Sequence, residues 1–225
     1  MDICVFHKLT FESYAVTWEK QKALFQNLID NKKLGKDLPH HCISVEHPHV
    51  YTFGLHAKQN NMLATPAMLQ SLGAETFEIE RGGDITYHGP GQLVVYPILD
   101  LEKLKIGLKD YVSGLETCII GVLDEFGIQA GIIKGRVGVW VDIGSPNERK
   151  IAAIGIKSSR YITMHGIALN VNTDLKMFSH IVPCGIIDKG VTSIEKELNE
   201  KIDLFKVNEI WKIHFSRKFG VTEHI

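Results

Sequence analysis

The sequence of 225 residues has no long apolar run and no excess of one charge. No hydrophobic stretch approaches the roughly 20 residues that span a bilayer, which excludes a membrane-spanning helix. The formal net charge of −1 gives no overall attraction to nucleic acid or to anionic lipid, so we expect neither nucleic acid nor a membrane as partner. The N-terminal residues lack the basic region and apolar core of a secretory signal, which predicts a cytoplasmic location.

Cysteine is scarce, and no segment of biased composition divides the chain. The four cysteines, Cys4, Cys42, Cys118 and Cys184, include no CxxC pair, which argues against a disulfide framework and a zinc ribbon. Histidines cluster within residues 40–49 but form no HxxxH frame, so we expect no metal site. Because 44% of the residues are hydrophobic and no linker is present, the sequence predicts one domain over residues 1–225.

Apolar periodicity predicts short strands mixed with amphipathic helices. The helical spacing predicts helices over residues 14–29, 66–72, 108–126 and 207–219. Short runs rich in valine and isoleucine predict strands over residues 4–6, 43–45, 50–54, 76–80, 93–99, 129–133, 137–141, 150–156 and 164–171. The partial segregation of strands from helices favours an α+β fold, with a mixed or antiparallel sheet covered by helices on one face, over a doubly wound Rossmann fold.

The most unusual segment is RGGDITYHGPGQ, residues 81–92. Glycine allows the backbone to approach a ligand closely, so this density of glycine predicts main-chain N–H groups that line a cleft, with Arg81 and His88 directed at it. The alternative is a glycine-rich hairpin without a ligand, because Gly-Gly and Gly-Pro pairs also mark ordinary turns.

Cys184 is the one cysteine that the sequence sets in a turn, between Pro183 and Gly185. The other three fall in predicted strands and a predicted helix and are expected in the core, where free cysteine is usually found. A reactive thiolate needs a cation or a helix N-terminus nearby to lower its pKa. Lys150 and Lys157 both flank the small-residue strand 151–156, and the spacing alone does not choose between them.

Several motifs together resemble the lipoyl(octanoyl) transferase family. They are RGGDITYHGPGQ at 81–92, KIAAIG at 150–155, HGIALNV at 165–171, PCGI at 183–186 and GVTS at 190–193. Their order and spacing agree, and the resemblance covers about residues 46–197. One departure is Leu55, which stands where many members have a basic residue.

The resemblance implies a fold shared with biotin and lipoate protein ligases, and transfer of an octanoyl group from an acyl carrier protein thioester to a lipoyl-domain lysine. It implies Cys184 as the nucleophile and Lys150 as its partner, with no cofactor. The expected acceptors are the lipoyl domains of 2-oxoacid dehydrogenase complexes and the glycine cleavage H protein, and the chain is expected to be a monomer. The substrate-binding positions carried over are Arg81, Gly82, Gly83, Asp84, Ile85, Thr86, Tyr87, His88, Ala153, Ile154, Gly155, Gly166, Ile167 and Ala168.

Three other functions remain open from the sequence. An ATP-dependent lipoate or biotin ligase shares the implied fold but requires no thiol. An amidotransferase that moves octanoyl groups between lipoyl domains uses the same cysteine chemistry. A non-enzymatic binding module would tolerate the loss of Cys184 and Lys150.

Overall fold

The computed structural model describes residues 2–182 and 190–223. The helices within these ranges are α1 (Tyr14–Lys33), α2 (Pro66–Ser71), α3 (Leu108–Asp124), α4 (Ile194–Leu198) and α5 (Leu204–Phe219). The strands are β1 (Asp2–Phe11), β2 (His40–Glu46), β3 (Val50–Phe53), β4 (Glu75–Glu78), β5 (Ile85–His88), β6 (Gln92–Ile98), β7 (Ala130–Ile133), β8 (Arg136–Val141), β9 (Arg149–Ser159), β10 (Ile162–Asn170), β11 (Gly190–Val191) and β12 (Val221–Glu223).

Local capping sets the ends of the long helices. Ser13 precedes α1 and accepts the backbone N–H of Val16, while Asp203 precedes α5 and accepts that of Phe205. Such side chains satisfy donors that a helix start leaves unpaired. Helix α5 ends at Gly220, whose φ of 64° is left-handed and favours glycine.

The strands form one large sheet and one small sheet. The large sheet has the order β12-β1-β2-β6-β10-β9-β8-β7, and β11 adds to β9. Strand β1 is parallel to both neighbours, whereas the run from β2 through β7 is antiparallel, so the predicted mixed sheet is confirmed. The small sheet has the order β4-β3-β5.

Helices cover both faces of the large sheet, so the prediction that they cover one face is wrong. On β6, Leu93 and Val95 pack in a core with α3 and α5, whereas Val94 and Tyr96 pack in a second core with α1. Successive strand residues point to opposite faces, and both sets here are apolar. The strand is therefore buried on both sides, which requires a helix layer on each.

The glycine-rich segment is not a continuous loop. Residues 85–88 form β5, which pairs with β3, and only the stretch from Gly89 to Gly91 makes a turn before β6. Its first part crosses the edge of the large sheet, where the Gly82 N–H donates to the Ile156 carbonyl. Within residues 2–182 and 190–223, the helices lack the length and apolar character that a bilayer span requires.

Candidate active site

A cavity of about 510 Å³ lies where the glycine-rich segment crosses β9 and β10. Pockets of this size suit small ligands. Lys150 and most of the carried-over positions line this cavity, namely Arg81, Gly82, Gly83, Ile85, Thr86, His88, Ala153, Ile154, Gly155, Gly166, Ile167 and Ala168. Residues far apart in the sequence thus meet around one space.

Asp84 and Tyr87 do not line the cavity. The Asp84 carboxylate accepts the backbone N–H of Ile85 at 2.8 Å and the side-chain amide of Asn61. The buried Tyr87 hydroxyl lies 2.7 Å from His49 Nδ1, and its ring packs against Tyr51. The Asp84 side chain therefore ties the glycine-rich segment to Asn61, and the Tyr87 side chain packs within the small sheet.

Two glycines are required by close backbone approach in the paired strands. Gly155 of β9 lies opposite Gly166 of β10. A Cβ on Gly155 would lie 3.0 Å from the Gly82 carbonyl oxygen, and one on Gly166 would lie 2.2 Å from the Val95 carbonyl oxygen. Any larger residue would displace the cavity wall.

The Arg81 guanidinium is buried and anchored within the wall. Its Nη2 donates to the Thr52 carbonyl at 2.7 Å and to Thr52 Oγ1 at 3.0 Å, and its Nη1 donates to the Gly82 carbonyl at 3.0 Å. These bonds hold a permanent positive charge beside the cavity. Leu55, at the position of the expected basic residue, is 67% exposed and lies outside the cavity lining.

His88 is held with a defined orientation by an amide network. Its Nδ1 lies 2.8 Å from Gln92 Oε1, while Gln92 Nε2 donates to Asn170 Oδ1 at 2.9 Å and to the Tyr87 carbonyl. Because the glutamine oxygen faces Nδ1, Nδ1 is the protonated nitrogen and Nε2 is an acceptor. Burial, with His47 and Arg81 nearby, lowers the pKa of His88 to about 3, so the ring is neutral.

The two candidate lysines have different environments. The Lys150 ammonium lines the cavity, donates to the Val137 carbonyl at 3.3 Å and lies 4.7 Å from the centroid of the Trp140 ring. The Lys157 ammonium instead forms an ion pair with Glu80 and lies over the Phe25 ring. Only Lys150 of these two borders the cavity.

Cys4, Cys42 and Cys118 are buried, as predicted. Burial raises the pKa of the Cys42 and Cys118 thiols to about 12 and also raises that of Cys4. These thiols stay protonated near neutral pH and are poor nucleophiles. Cys184 lies outside the described residues; the described chain resumes at Gly190, which pairs with Arg149, the neighbour of Lys150.

The histidines of residues 40–49 are used in packing. His47 Nδ1 lies 2.7 Å from the Glu12 carbonyl, and its Nε2 lies 2.9 Å from the Tyr96 hydroxyl. Among residues 2–182 and 190–223, no group of three or more histidine, cysteine or acidic side chains is arranged to hold a metal ion. The absence of a metal site stays a prediction for the whole chain.

Several residues of the cavity were not identified from the sequence. Tyr14 at the start of α1 stacks on His88 with ring centroids 6.1 Å apart, and Tyr96 of β6 and His165 of β10 complete the same end. Arg136 and Val137, from the start of β8, border the cavity close to Lys150. The position of His165 directly before the Gly166-Ile167-Ala168 motif was the one available sequence signal.

Comparisons with known proteins agree with this arrangement. The family described as lipoyl protein ligase A/B catalytic domain matches residues 13–216. The chain is 51% identical to an octanoyltransferase of Bacteroides thetaiotaomicron over 87% of this chain and 86% of that protein. These matches confirm the resemblance seen in the motifs.

The fold is also found in solved structures. A bi-partite lipoate protein ligase from Thermoplasma acidophilum superposes with a TM-score of 0.72 at 14% identity, over 100% of this chain and 86% of that one. Biotin protein ligase from Aquifex aeolicus gives a TM-score of 0.52 at 14% identity, over 97% and 69%. The predicted α+β fold of the biotin and lipoate ligase type is confirmed.

Proposed function

Because the chain belongs to the family of lipoyl protein ligase A/B catalytic domains, we propose that it transfers an octanoyl group from octanoyl-acyl carrier protein to a specific lysine of lipoyl domains. The observation that carries the proposal is that Lys150 and the small-residue strands β9 and β10 border the same cavity. The acceptors are the lipoyl domains of 2-oxoacid dehydrogenase complexes and the glycine cleavage H protein, and the chain acts as a cytoplasmic monomer without a cofactor.

The reaction has two steps, both at one thiol. The Cys184 thiolate attacks the thioester carbonyl, the carrier thiol leaves, and the acyl group is held as a new thioester. The lipoyl-domain lysine amine then attacks this thioester, loses a proton and releases Cys184. Both steps preserve or use the thioester activation, so no ATP is consumed. The Lys150 ammonium favours the charged thiolate over the neutral thiol.

A backbone donor for the acyl carbonyl follows from the geometry of β9. The Ile156 carbonyl accepts the Gly82 N–H across the edge of β9 that faces away from β10. Strand alternation directs the backbone of Ile154 to the same edge, where no strand of the described chain pairs with residues 153–156. The Ile154 N–H is therefore the donor that we assign to the carbonyl oxygen and to the oxyanion that forms on it.

The cavity supplies the binding energy for the acyl chain. Six methylenes buried at roughly 0.8 kcal/mol each contribute about 5 kcal/mol. This is enough to select octanoyl over acetyl, because an acetyl group leaves the apolar wall of Ile154 and Ile167 without contact. Acetyl and octanoyl carrier proteins that react with similar kcat/KM contradict this role of the cavity.

The deciding experiment offers octanoyl carrier protein and an apo lipoyl domain to the enzyme without ATP. The proposal expects octanoylated lipoyl domain, and an octanoyl thioester on the enzyme that mass spectrometry detects only when Cys184 is present. Cys184→Ala abolishes both signals. The control variant is Thr173→Ser, because Thr173 does not line the cavity.

Each other outcome identifies a different function. A requirement for ATP indicates a ligase, and transfer from an octanoylated lipoyl domain but not from the carrier indicates an amidotransferase. Turnover by Cys184→Ala removes the thioester mechanism. Lipoyl-domain binding that is unchanged by Cys184→Ala and Lys150→Met, with no product from either donor, indicates a binding module.

A further inference from the structure

His165 separates two cavities. It borders the 510 Å³ cavity and also a second space of about 480 Å³, here called the outer cleft, whose walls include Trp18, Phe25, Lys157 and Met164. Among the residues that the structure describes, His165 is the single one that lines both spaces. Its side chain is thus the shared wall between them.

His165 has an unfavourable backbone conformation and an unfavourable environment, so its contribution to stability does not explain its presence. Its φ of 61° is left-handed, which glycine adopts more readily than histidine. The residue is 2% exposed, and neither ring nitrogen has a hydrogen-bond partner within the described chain. Because a buried polar ring without partners is unfavourable, packing alone does not account for a histidine here.

His165 lies at the end of the cavity opposite Lys150. Its register partner across the β9–β10 pair is Ile156, six residues after Lys150. At about 3.3 Å per residue, the two ends of the cavity are about 20 Å apart, which is longer than an extended octanoyl chain. The Ile154 N–H, the donor that the proposed function assigns to the reacting carbonyl, lies only two residues, about 7 Å along β9, before Ile156. An octanoyl chain that starts at Ile154 and runs away from Lys150 therefore ends beside His165.

We propose that the His165 side chain is the end wall of the acyl cavity and sets the upper limit on acyl chain length. The outer cleft behind it would accept the tail of a longer saturated chain against Trp18, Phe25 and Met164 if the wall were removed. The imidazole acts here by its volume and not by proton transfer. The inference rests on the proposed function for the direction of the chain.

The test compares octanoyl and dodecanoyl carrier proteins with His165→Gly and His165→Phe. Glycine removes the wall and suits the left-handed backbone, whereas phenylalanine keeps a ring of similar size without nitrogens. Each buried methylene changes affinity by about fourfold, so the dodecanoyl to octanoyl ratio of kcat/KM should rise by up to on the order of 100-fold in His165→Gly. The ratio should stay at the wild-type value in His165→Phe.

A matched control separates the wall from the relief of backbone strain. Tyr161 also has a left-handed φ, 64°, but lies 58% exposed in the turn before β10. Tyr161→Gly should leave the ratio unchanged. If His165→Gly does not fold by circular dichroism, His165→Ala takes its place in the same comparison.

Binding of free octanoate and dodecanoate, measured by calorimetry, tests the wall independently of catalysis. His165→Gly should gain affinity for dodecanoate relative to octanoate. Dodecanoate should also shift the tryptophan fluorescence of His165→Gly, and this shift should be absent when Trp18→Phe is added. A folded His165→Gly with the wild-type preference overturns the inference, as does a gain shared by His165→Phe. Absence of octanoyl transfer by the wild-type protein overturns the proposed function alone, because the binding ratios still decide the role of His165.

Discussion

The Lys150 ammonium lies over the Trp140 ring, 4.7 Å from its centroid, at one end of the cavity. The contact holds a cation beside a largely apolar space, in which its field is screened less than in water. Gly138 makes the arrangement possible, since a Cβ there would lie 2.6 Å from the Ala152 carbonyl oxygen and 3.4 Å from Lys150 Cε.

Lys150→Met should raise the pKa of the Cys184 thiol, because the substitution removes the cation and keeps the length of the side chain. The measurement is the rate of alkylation by iodoacetamide as a function of pH, in a variant whose other cysteines are serine or alanine. The midpoint of this pH profile should shift to higher pH in Lys150→Met. Octanoylation of the enzyme by the carrier should slow in parallel.

Lys157→Met is the control for this substitution. Its ammonium pairs with Glu80 at the outer cleft, so the midpoint should stay at the wild-type value. If Lys157→Met moves the midpoint and Lys150→Met does not, the assignment of Lys150 is wrong, although transfer by Cys184 stands.

Gly166→Ala should destabilise the fold by about 2–3 kcal/mol, because its Cβ would overlap the Val95 carbonyl and Pro97 Cδ in the middle of the sheet. Gly82→Ala is the contrasting change, since its Cβ would lie 3.6 Å from the Ile156 carbonyl oxygen, an ordinary contact. Urea denaturation should therefore show a large loss for Gly166→Ala and a small one for Gly82→Ala. Equal losses would contradict the overlap expected at Gly166.

Carrier docking should depend on salt through the turn between β7 and β8. Arg136 borders the cavity beside Lys150, and Lys134 is exposed in the same turn. Because acyl carrier proteins are acidic, kcat/KM should fall several-fold between about 50 and about 500 mM salt. The double change Lys134→Gln with Arg136→Gln should lower kcat/KM at low salt and flatten this dependence.

Lys206→Gln is the control, because it removes a positive charge that lies away from Lys134 and Arg136. Lys206 contacts the Phe126 ring beyond the end of α3, some 14 residues and about 20 Å along the helix from Val112 at the cavity. Its removal should leave the salt dependence unchanged. If the kcat/KM of the wild-type protein does not change with salt, the carrier does not dock by electrostatic attraction.

Local patterns in the sequence were sufficient to predict most of the elements. The apolar spacing of α3 and the glycine after its end identified the helix, and the valine-rich run of β6 identified a buried strand. The same run did not predict how many faces of the sheet are covered by helices. Val94 and Val95 are both apolar, and the sequence does not show which helix packs on each face. The second layer depends on where α1 packs, which is a long-range contact.

The sequence motifs predicted which residues line the cavity, but local sequence rules did not predict how these residues are arranged. Gly155 and Gly166 stand in separate motifs, and only strand pairing places them opposite each other. Asp84 lies inside a motif, yet its carboxylate turns to Asn61 because three nearby donors require an acceptor there. Tyr14 had no signal, since an aromatic residue at a helix start is ordinary.

Stability should fall in acid because several buried histidines are neutral in the folded protein. Burial, followed by the charges of Arg81 and Lys157, lowers the pKa of His165 to about 3 from its ordinary value near 6.5. Below about pH 6.5 the unfolded chain binds a proton that the folded protein does not, so the free energy of unfolding falls as the pH drops toward about 3. Above that window this contribution is constant.

His165→Phe should remove one such histidine and so reduce the pH dependence of unfolding. Each buried histidine contributes up to about 1.4 kcal/mol per pH unit within the window, so the slope should decrease by about that amount. The variant should also gain about 1 kcal/mol near pH 7, because two buried nitrogens without partners are lost. Urea unfolding near pH 7 and near pH 4.5 measures both effects. A slope unchanged by His165→Phe would mean that the imidazole becomes protonated inside the folded protein.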